Sequence, residues 1–326
     1  HERMTVPLRP ATLHPRYVAA DARRNGMLRP VYLSFESQGE YWLHSFHMTD
    51  IPGTDYADAS SPYGYGGPLC SSDHPSFLDA SWLAYLDWMR SHRAVVEYIR
   101  FHPILGNERH YGGNVLESRQ VVWLDLQATD MTDSHASRLR QGLKKAAAVG
   151  LVYEEIDLAT CAREFAAYYR AAMREMNVDP FYLFDDAYFE GLAGVPRTRV
   201  GICRPRDAGA GEWLAAALFI DGRGVREYHL AGSNQVGRSM GASGFLLNEG
   251  ALAARQSGLQ KLYLGGGTDA SPRNPLLFFK SAFSRERLVY RTGWTVFNDR
   301  AYDELQQRFP RERLAHPDRP IFHRIV

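Results

Sequence analysis

Runs rich in β-branched and aromatic residues alternate with segments of helical period along this whole chain. That alternation restricts it to a mixed α/β fold. The strand-like runs begin with VYLSFE at Val31, YWLHSFHM at Tyr41, VVEYIRFHP at Val95 and QVVWLDL at Gln120. Between the second and third, FLDASWLAYLDWMRSH puts Phe77, Trp82, Leu83, Leu86 and Met89 at helical spacing. DSHASRLRQGLKKAAAVGL follows, with Asp133 or Ser134 as its expected cap and Gly150 as its stop. The pattern then returns in kind. LVYEEI leads to the helical CAREFAAYYRAAMREM, the short DDAYFEGLAG, the strands RTRVGICR, WLAAALFI and REYHLAG, and a second helical run, FLLNEGALAARQSG. KLYLGGG, a helix around PLLFFKSAFS, LVYRTGWTVF and DRAYDELQQRF complete it.

The chain has 326 residues, which on length alone suggests about two domains. The expected division is 1–146 with about 299–326 for the first and 147–298 for the second. RDAGAG at Arg206 reads as a hairpin connection. Lys and Arg number 38 against 37 Asp and Glu, for a net charge of +1. A polyanion partner therefore needs a local patch, and DNA binding is not indicated. The three cysteines, Cys70, Cys161 and Cys203, show neither a disulfide framework nor metal-ligand spacing, which fits a reducing cytoplasm and no metal site. No apolar run reaches the roughly 18 residues of a membrane span. HERMTVPLRP lacks an apolar signal region, and His1 to Arg3 read as the end of a cloning tag.

GRSMGASG, Gly237 to Gly244, lies between a strand and a helical run. A glycine-rich turn at a helix N-terminus gathers backbone N–H groups and the positive end of the helix dipole, so it suits an anion. Arg238 adds a fork for phosphate. A tight connection with no ligand accounts equally for the glycines.

Strand, Arg-x-x-Gly-x-Ser, helix, strand resembles the core of the GNAT acyltransferase superfamily, where Gln/Arg-x-x-Gly-x-Gly/Ala holds the pyrophosphate of acetyl-CoA. Arg238 and Gly241 match, and Ser243 departs from the small position. SPYGYGGPL at Ser61, RLRQGLKKA at Arg138, YHLAGSN at Tyr228, GASGFLLNEGALAA at Gly241, YLGGGTD at Tyr263 and LFFKSAFS at Leu277 occur in that order. Together they resemble the Fem-type (FemAB-like) transferases over about Val31 to Trp294. The resemblance implies two GNAT-like domains in tandem, and peptide-bond formation with aminoacyl-tRNA as donor and no separate cofactor. No sustained heptads are visible, so it is the compact members, without a coiled-coil arm, that this chain resembles.

The resemblance implies roles for particular residues. Phe279 would stack on the terminal adenosine and Lys280 would stabilise the oxyanion or a nearby phosphate. Arg138, Arg140, Lys144 and Lys145 would contact the tRNA backbone, with Arg238, Gly241 and Ser243 lining the donor end. Each has a plainer account: a solvated basic helix face, or a lysine snorkelling from a buried helix. Acceptor binding falls to the first domain, with Tyr63, Tyr65, Arg100 and His102 as candidates; turn chemistry alone also explains the tyrosines.

No catalytic triad is visible. Aminoacyl transfer does not demand one, because an α-amino group with a pKa near 8 is partly neutral at pH 7 and the tRNA ester is already reactive. His229 and Asp269 are the candidate bases, with Glu249 behind them. Three readings follow. The first is an aminoacyl-tRNA-dependent transferase acting on a small natural-product amine or a cell-wall peptide precursor. The second is an acyl-CoA N-acyltransferase. The third is a non-catalytic binding protein with the same fold.

Overall fold

The computed structural model describes Met4, residues 6–207, Gly209, 211–315 and 319–323. The tag reading of His1 to Arg3 lies outside these residues. In chain order the elements are α1 (Pro15–Ala22), β1 (Arg29–Ser37), β2 (Glu40–Asp50), β3 (Ala57–Ser60), β4 (Leu69–Cys70), α2 (Pro75–Ser91), β5 (Ala94–Arg100) and β6 (Asn114–Asp125). Next come α3 (Ser137–Ala148), β7 (Leu151–Asp157), α4 (Leu158–Glu175), α5 (Asp186–Ala193), β8 (Thr198–Pro205), β9 (Ala215–Asp221), β10 (Val225–Ser233), α6 (Gln235–Met240) and α7 (Ala242–Gln256). β11 (Lys261–Gly265), α8 (Pro275–Lys280), β12 (Arg287–Val296), α9 (Asp299–Arg308) and α10 (Pro310–Ala315) complete the described fold. It is mixed α/β, as the alternation predicts, and no described helix is longer than the 18 residues of α4.

Two compact units divide the chain. The first comprises 1–6, 12–118 and 290–326; the second comprises 7–11 and 119–289. In the first unit the strands run β1-β2-β3-β5-β12, with β4 on β2. β1 and β2 form a hairpin whose turn residues, Gln38 and Gly39, both have positive φ, 51° and 81°. That turn matches the right-handed twist of the flanking strands. Val31, Leu33 and Phe35 alternate inward against a core of Trp42, Phe46, Tyr85 and Met89, the last two from α2. A second cluster joins Val95 and Val96 to Ala301 and Leu305 of α9 and to Ile321 and Phe322.

The second unit has the order β6-β11-β10-β9-β8-β7. β9 is buried at six consecutive positions, Ala215 to Ile220, as a strand covered on both faces must be. α7 packs its Leu246, Leu247, Ala251 and Ala254 on one side. β8 and β9, consecutive in the chain, pair antiparallel from Thr198↔Ile220 to Cys203↔Ala215; Ala208 and Ala210 of RDAGAG lie outside the described residues.

Two local expectations are corrected. α3 starts at Ser137, not beside Asp133 or Ser134, which lie in a separate 3-10 turn; its N-cap, Ala136, offers no side-chain bond. GRSMGASG is not an open glycine turn. Asn234 makes the turn by accepting from the Gly237 N–H at 2.7 Å, and 235–240 coil into α6. Only Gly241, at φ 72°, breaks the helix before α7 begins.

Candidate functional site

In the second unit β10 and β11 pair in parallel for three residue pairs only, Val225↔Lys261 to Glu227↔Tyr263. Each strand is irregular just beyond, between Tyr228 and Leu230 in β10 and between Tyr263 and Gly265 in β11. β10 continues to Ser233 on β9 alone. His229 sits at the β10 irregularity, and its Nε2 lies 2.8 Å from the Tyr188 hydroxyl of α5.

A cavity of about 420 Å³ opens on the same unit. Leu139 and Leu143 of α3, Phe245 of α7, and Phe279, Ala282 and Phe283 in and after α8 give it apolar walls. Arg138, Arg238, Gly241 and Ser243 line it too. Five of the eight residues expected to meet tRNA, these four and Phe279, are therefore brought together. Arg140, Lys144 and Lys145 are exposed on α3 and do not line it. Arg140 instead folds back on the His135 carbonyl and the Ser137 hydroxyl. Arg238 bonds the Ser233 carbonyl at 2.6 Å and pairs with Glu175 at the end of α4.

At the mouth, Phe278 is 59% exposed, with the Arg138 guanidinium 3.5 Å from its ring centroid. Arg138 also donates to the Phe278 carbonyl at 2.7 Å. Phe279 turns inward, half-buried, its ring 5.3 Å from that of Phe283 and edge-on. The sequence gives Phe278 no site role, although Phe278 and Phe279, adjacent on α8, cannot both face inward.

Lys280 closes α8 but does not line the cavity. Its chain is buried, and Nζ donates to the Gly266 carbonyl at 2.8 Å. Burial pulls its ammonium down to about 7. Around it the glycine-rich run after β11 is tied down. Arg119 reaches the Gly267 carbonyl at 3.2 Å, and Asn274 donates to the Thr268 hydroxyl at 2.8 Å. The Asn274 Oδ1 also caps α8, accepting from Leu276 and Leu277. Asp269 is exposed in this run and accepts from the Ser271 N–H, as a turn-forming aspartate does. Neither Asp269 nor His229 lines the cavity. Glu249 accepts from its neighbour Asn248.

The first unit gathers all four acceptor candidates at the loop Ser61–Leu69. α1 grips the Tyr63 peptide from both sides: the Tyr17 hydroxyl donates to its carbonyl at 2.6 Å, and Asp21 accepts from its N–H at 2.9 Å. Tyr17 and Asp21 are one turn apart on α1, hence on one face. Arg100 donates to the Ser61 and Pro62 carbonyls at 3.3 Å each. Asn107 donates to those of Gly66 and Pro68 and accepts from the His102 N–H. The Tyr65 ring stands edge-on to His102 at 5.2 Å and to Tyr290 at 5.7 Å. Tyr63 and Tyr65 are half-buried, whereas His102 is fully buried.

No family model matches this sequence, and no curated protein shows a significant sequence match to it. The likeness is structural. FemX superposes with a TM-score of 0.69 at 12% identity, over 89% of this chain and 93% of that one. The C-terminal domain (DUF2156) of a putative lysylphosphatidylglycerol synthetase from Agrobacterium fabrum gives 0.55 at 18% identity, over 88% and 90%. L-PGS from Bacillus licheniformis gives 0.53 at 12%, over 93% and 98%. The chain thus has a Fem-like fold. Among the described residues, no helix is long and apolar enough to cross a membrane.

Proposed function

We propose that this chain is an acyltransferase of the aminoacyl-tRNA-dependent kind, which moves a tRNA-borne amino acid onto an acceptor amine. The observation that carries the reading is the cavity of the second unit. Its apolar, phenylalanine-lined wall suits a flat ring, and the Arg138 guanidinium at its edge suits phosphate. In the reaction the amine nitrogen attacks the ester carbon. The C–N bond forms, the C–O bond to the ribose breaks, and the proton lost by the amine returns to the departing hydroxyl. Proximity supplies much of the acceleration, so the absence of a triad among the candidate residues is no obstacle. Lys280 acts from behind, fixing the Gly266 peptide and with it the run that leads into Phe279. The loop that carries Tyr63 and Tyr65 receives the acceptor, a small natural-product amine or a cell-wall peptide precursor. A neighbour's name, putative lysylphosphatidylglycerol synthetase, supports transfer of an aminoacyl group.

An acyl-CoA N-acyltransferase is the second reading, favoured by the start of α7, where no side chain caps the helix and Gly241 and Ser243 line the cavity. Against it stands Arg238, which is held by Glu175 and the Ser233 carbonyl. The test is donor binding. The protein is mixed with labelled, charged total tRNA, and separately with acetyl-CoA, across a salt series. Salt-sensitive retention of charged tRNA without coenzyme A binding is expected. Saturable coenzyme A binding without tRNA retention would establish the second reading instead.

A further inference from the structure

Phe278 of the second unit is 59% exposed and lines the apolar cavity, where its ring contributes little to the core. Yet it is held in place. Arg138 covers one face of the ring at 3.5 Å and, from the same guanidinium, bonds the Phe278 carbonyl at 2.7 Å. Asn274 fixes the helix that carries it by bonding two N–H groups at its start. An exposed aromatic with one face clamped by a cation and the other open is a stacking platform.

The surroundings select what stacks there. α3 has the sequence SRLRQGLKKAAA, which contains four cations and no acid. Lys145 is seven residues from Arg138, so it returns to the same helix face about 10 Å further along. Both Arg138 and Gly142, between them on that face, line the cavity. The open ring thus ends a positive stripe, and the inward Phe279 lies one residue further on. A ligand matching this is a polyanion with successive flat rings, that is, a single-stranded nucleic acid end.

We propose that Phe278, clamped by Arg138, stacks the base before the terminal one, so that consecutive phenylalanines of α8 hold consecutive bases of an RNA 3′ end. This rests on the aminoacyl-tRNA reading and adds a second base site to it. The Arg138–Phe278 stripe would then thread the strand past Lys145 towards the tRNA body.

The experiment measures binding of charged tRNA, and of a short single-stranded RNA bearing the common tRNA 3′ end, to the full chain and to Phe278→Ala, Phe278→Trp, Arg138→Ala and Lys145→Ala, over a salt series. Thermal unfolding of each variant checks that the fold persists. Phe278→Ala is expected to weaken the short RNA about tenfold, with Phe278→Trp restoring it. Its salt slope should stay that of the parent, because stacking releases no counterion. Arg138→Ala and Lys145→Ala should each lower the slope by about 1. If the parent binds both RNAs and Phe278→Ala binds them equally well, the base site is wrong while the aminoacyl-tRNA reading stands. If the parent binds neither RNA, both fall. Binding to vesicles of anionic phospholipid, lost in Phe278→Ala while RNA binding is unchanged, would assign the ring to a lipid surface and overturn the proposal.

Discussion

The Tyr63 loop of the first unit and the Gly237–Gly244 segment of the second are both glycine-rich, yet they are built in opposite ways. In the first, side chains of α1 and β5 and the buried Asn107 take up the backbone groups of Ser61, Pro62, Tyr63, Gly66 and Pro68. Its glycines let the chain pass through otherwise crowded space; a Cβ on Gly67 would come within 2.7 Å of Phe101 and 2.8 Å of Asn107. In the second, helix takes up most of the backbone, and Gly241 stands in open space with nothing within 4 Å of its Cβ position. One region is a finished surface that presents two tyrosines. The other borders an open apolar cavity. Pinned polar loops suit orientation of a small reactive group, and open apolar cavities suit capture of a large ligand.

The contrast is broken most forcefully at Asp21. This fully buried carboxylate accepts from Tyr63 and from Arg24 Nε at 3.3 Å. Asp21→Ala leaves a buried N–H and a largely buried guanidinium without it, so unfolding by urea should show a loss of about 3 kcal/mol. Asp21→Asn keeps an acceptor for Tyr63 and should lose less. Equal stability of Asp21→Ala and the parent would mean that the loop does not depend on α1.

Lys280 sharpens the comparison, because it pins backbone within the open unit. Its folded pKa, about 7, lies below the free-lysine value of about 10.4. The unfolded chain therefore binds more protons between those values, and stability rises with pH across that window and is lowest below it. Lys280→Met fills the space without the titration. The stability difference, parent minus variant, should grow by about 1 kcal/mol per pH unit from pH 7 to 9. A flat difference would show that Lys280 stays charged.

How much of this was legible beforehand follows the same division. Period and composition locate elements such as β1, α2, α4, α7 and β12, because burial on one or two faces imposes a rhythm on the residues. β3, with four residues, and β4, with two, carry too few positions for a rhythm. Asp133 and Ser134 are good caps by type, but Asp130 and Thr132 tie that segment into its own turn, so α3 starts only at Ser137. In GRSMGASG glycine suggested a turn, while Asn234 upstream had already made it. Resemblance singles out Arg138, Arg238 and Phe279, which line one cavity, whereas the roles of Asp21 and Asn107 depend on partners 42 and 41 positions away. No local pattern encodes such pairings. The exposure of Phe278 depends likewise on how α8 lies against α3.

The two glycines offer the finest comparison, since both have left-handed φ and differ only in surroundings. Gly67→Ala meets backbone strain at φ 86° together with the Phe101 and Asn107 contacts. Strain and overpacking together should cost about 2 kcal/mol. Because Asn107 must shift, the Gly66 and Pro68 carbonyls lose their partner and acceptor-side activity should fall with stability. Gly241→Ala meets strain alone at φ 72° and should cost about 1 kcal/mol. Its added methyl group enters open space at the cavity, so the stability loss should be small while donor binding reports on the cavity itself. If Gly241→Ala lowers stability as much as Gly67→Ala does, the segment before α7 is packed and not open, and the division between a finished loop and a receptive cavity fails.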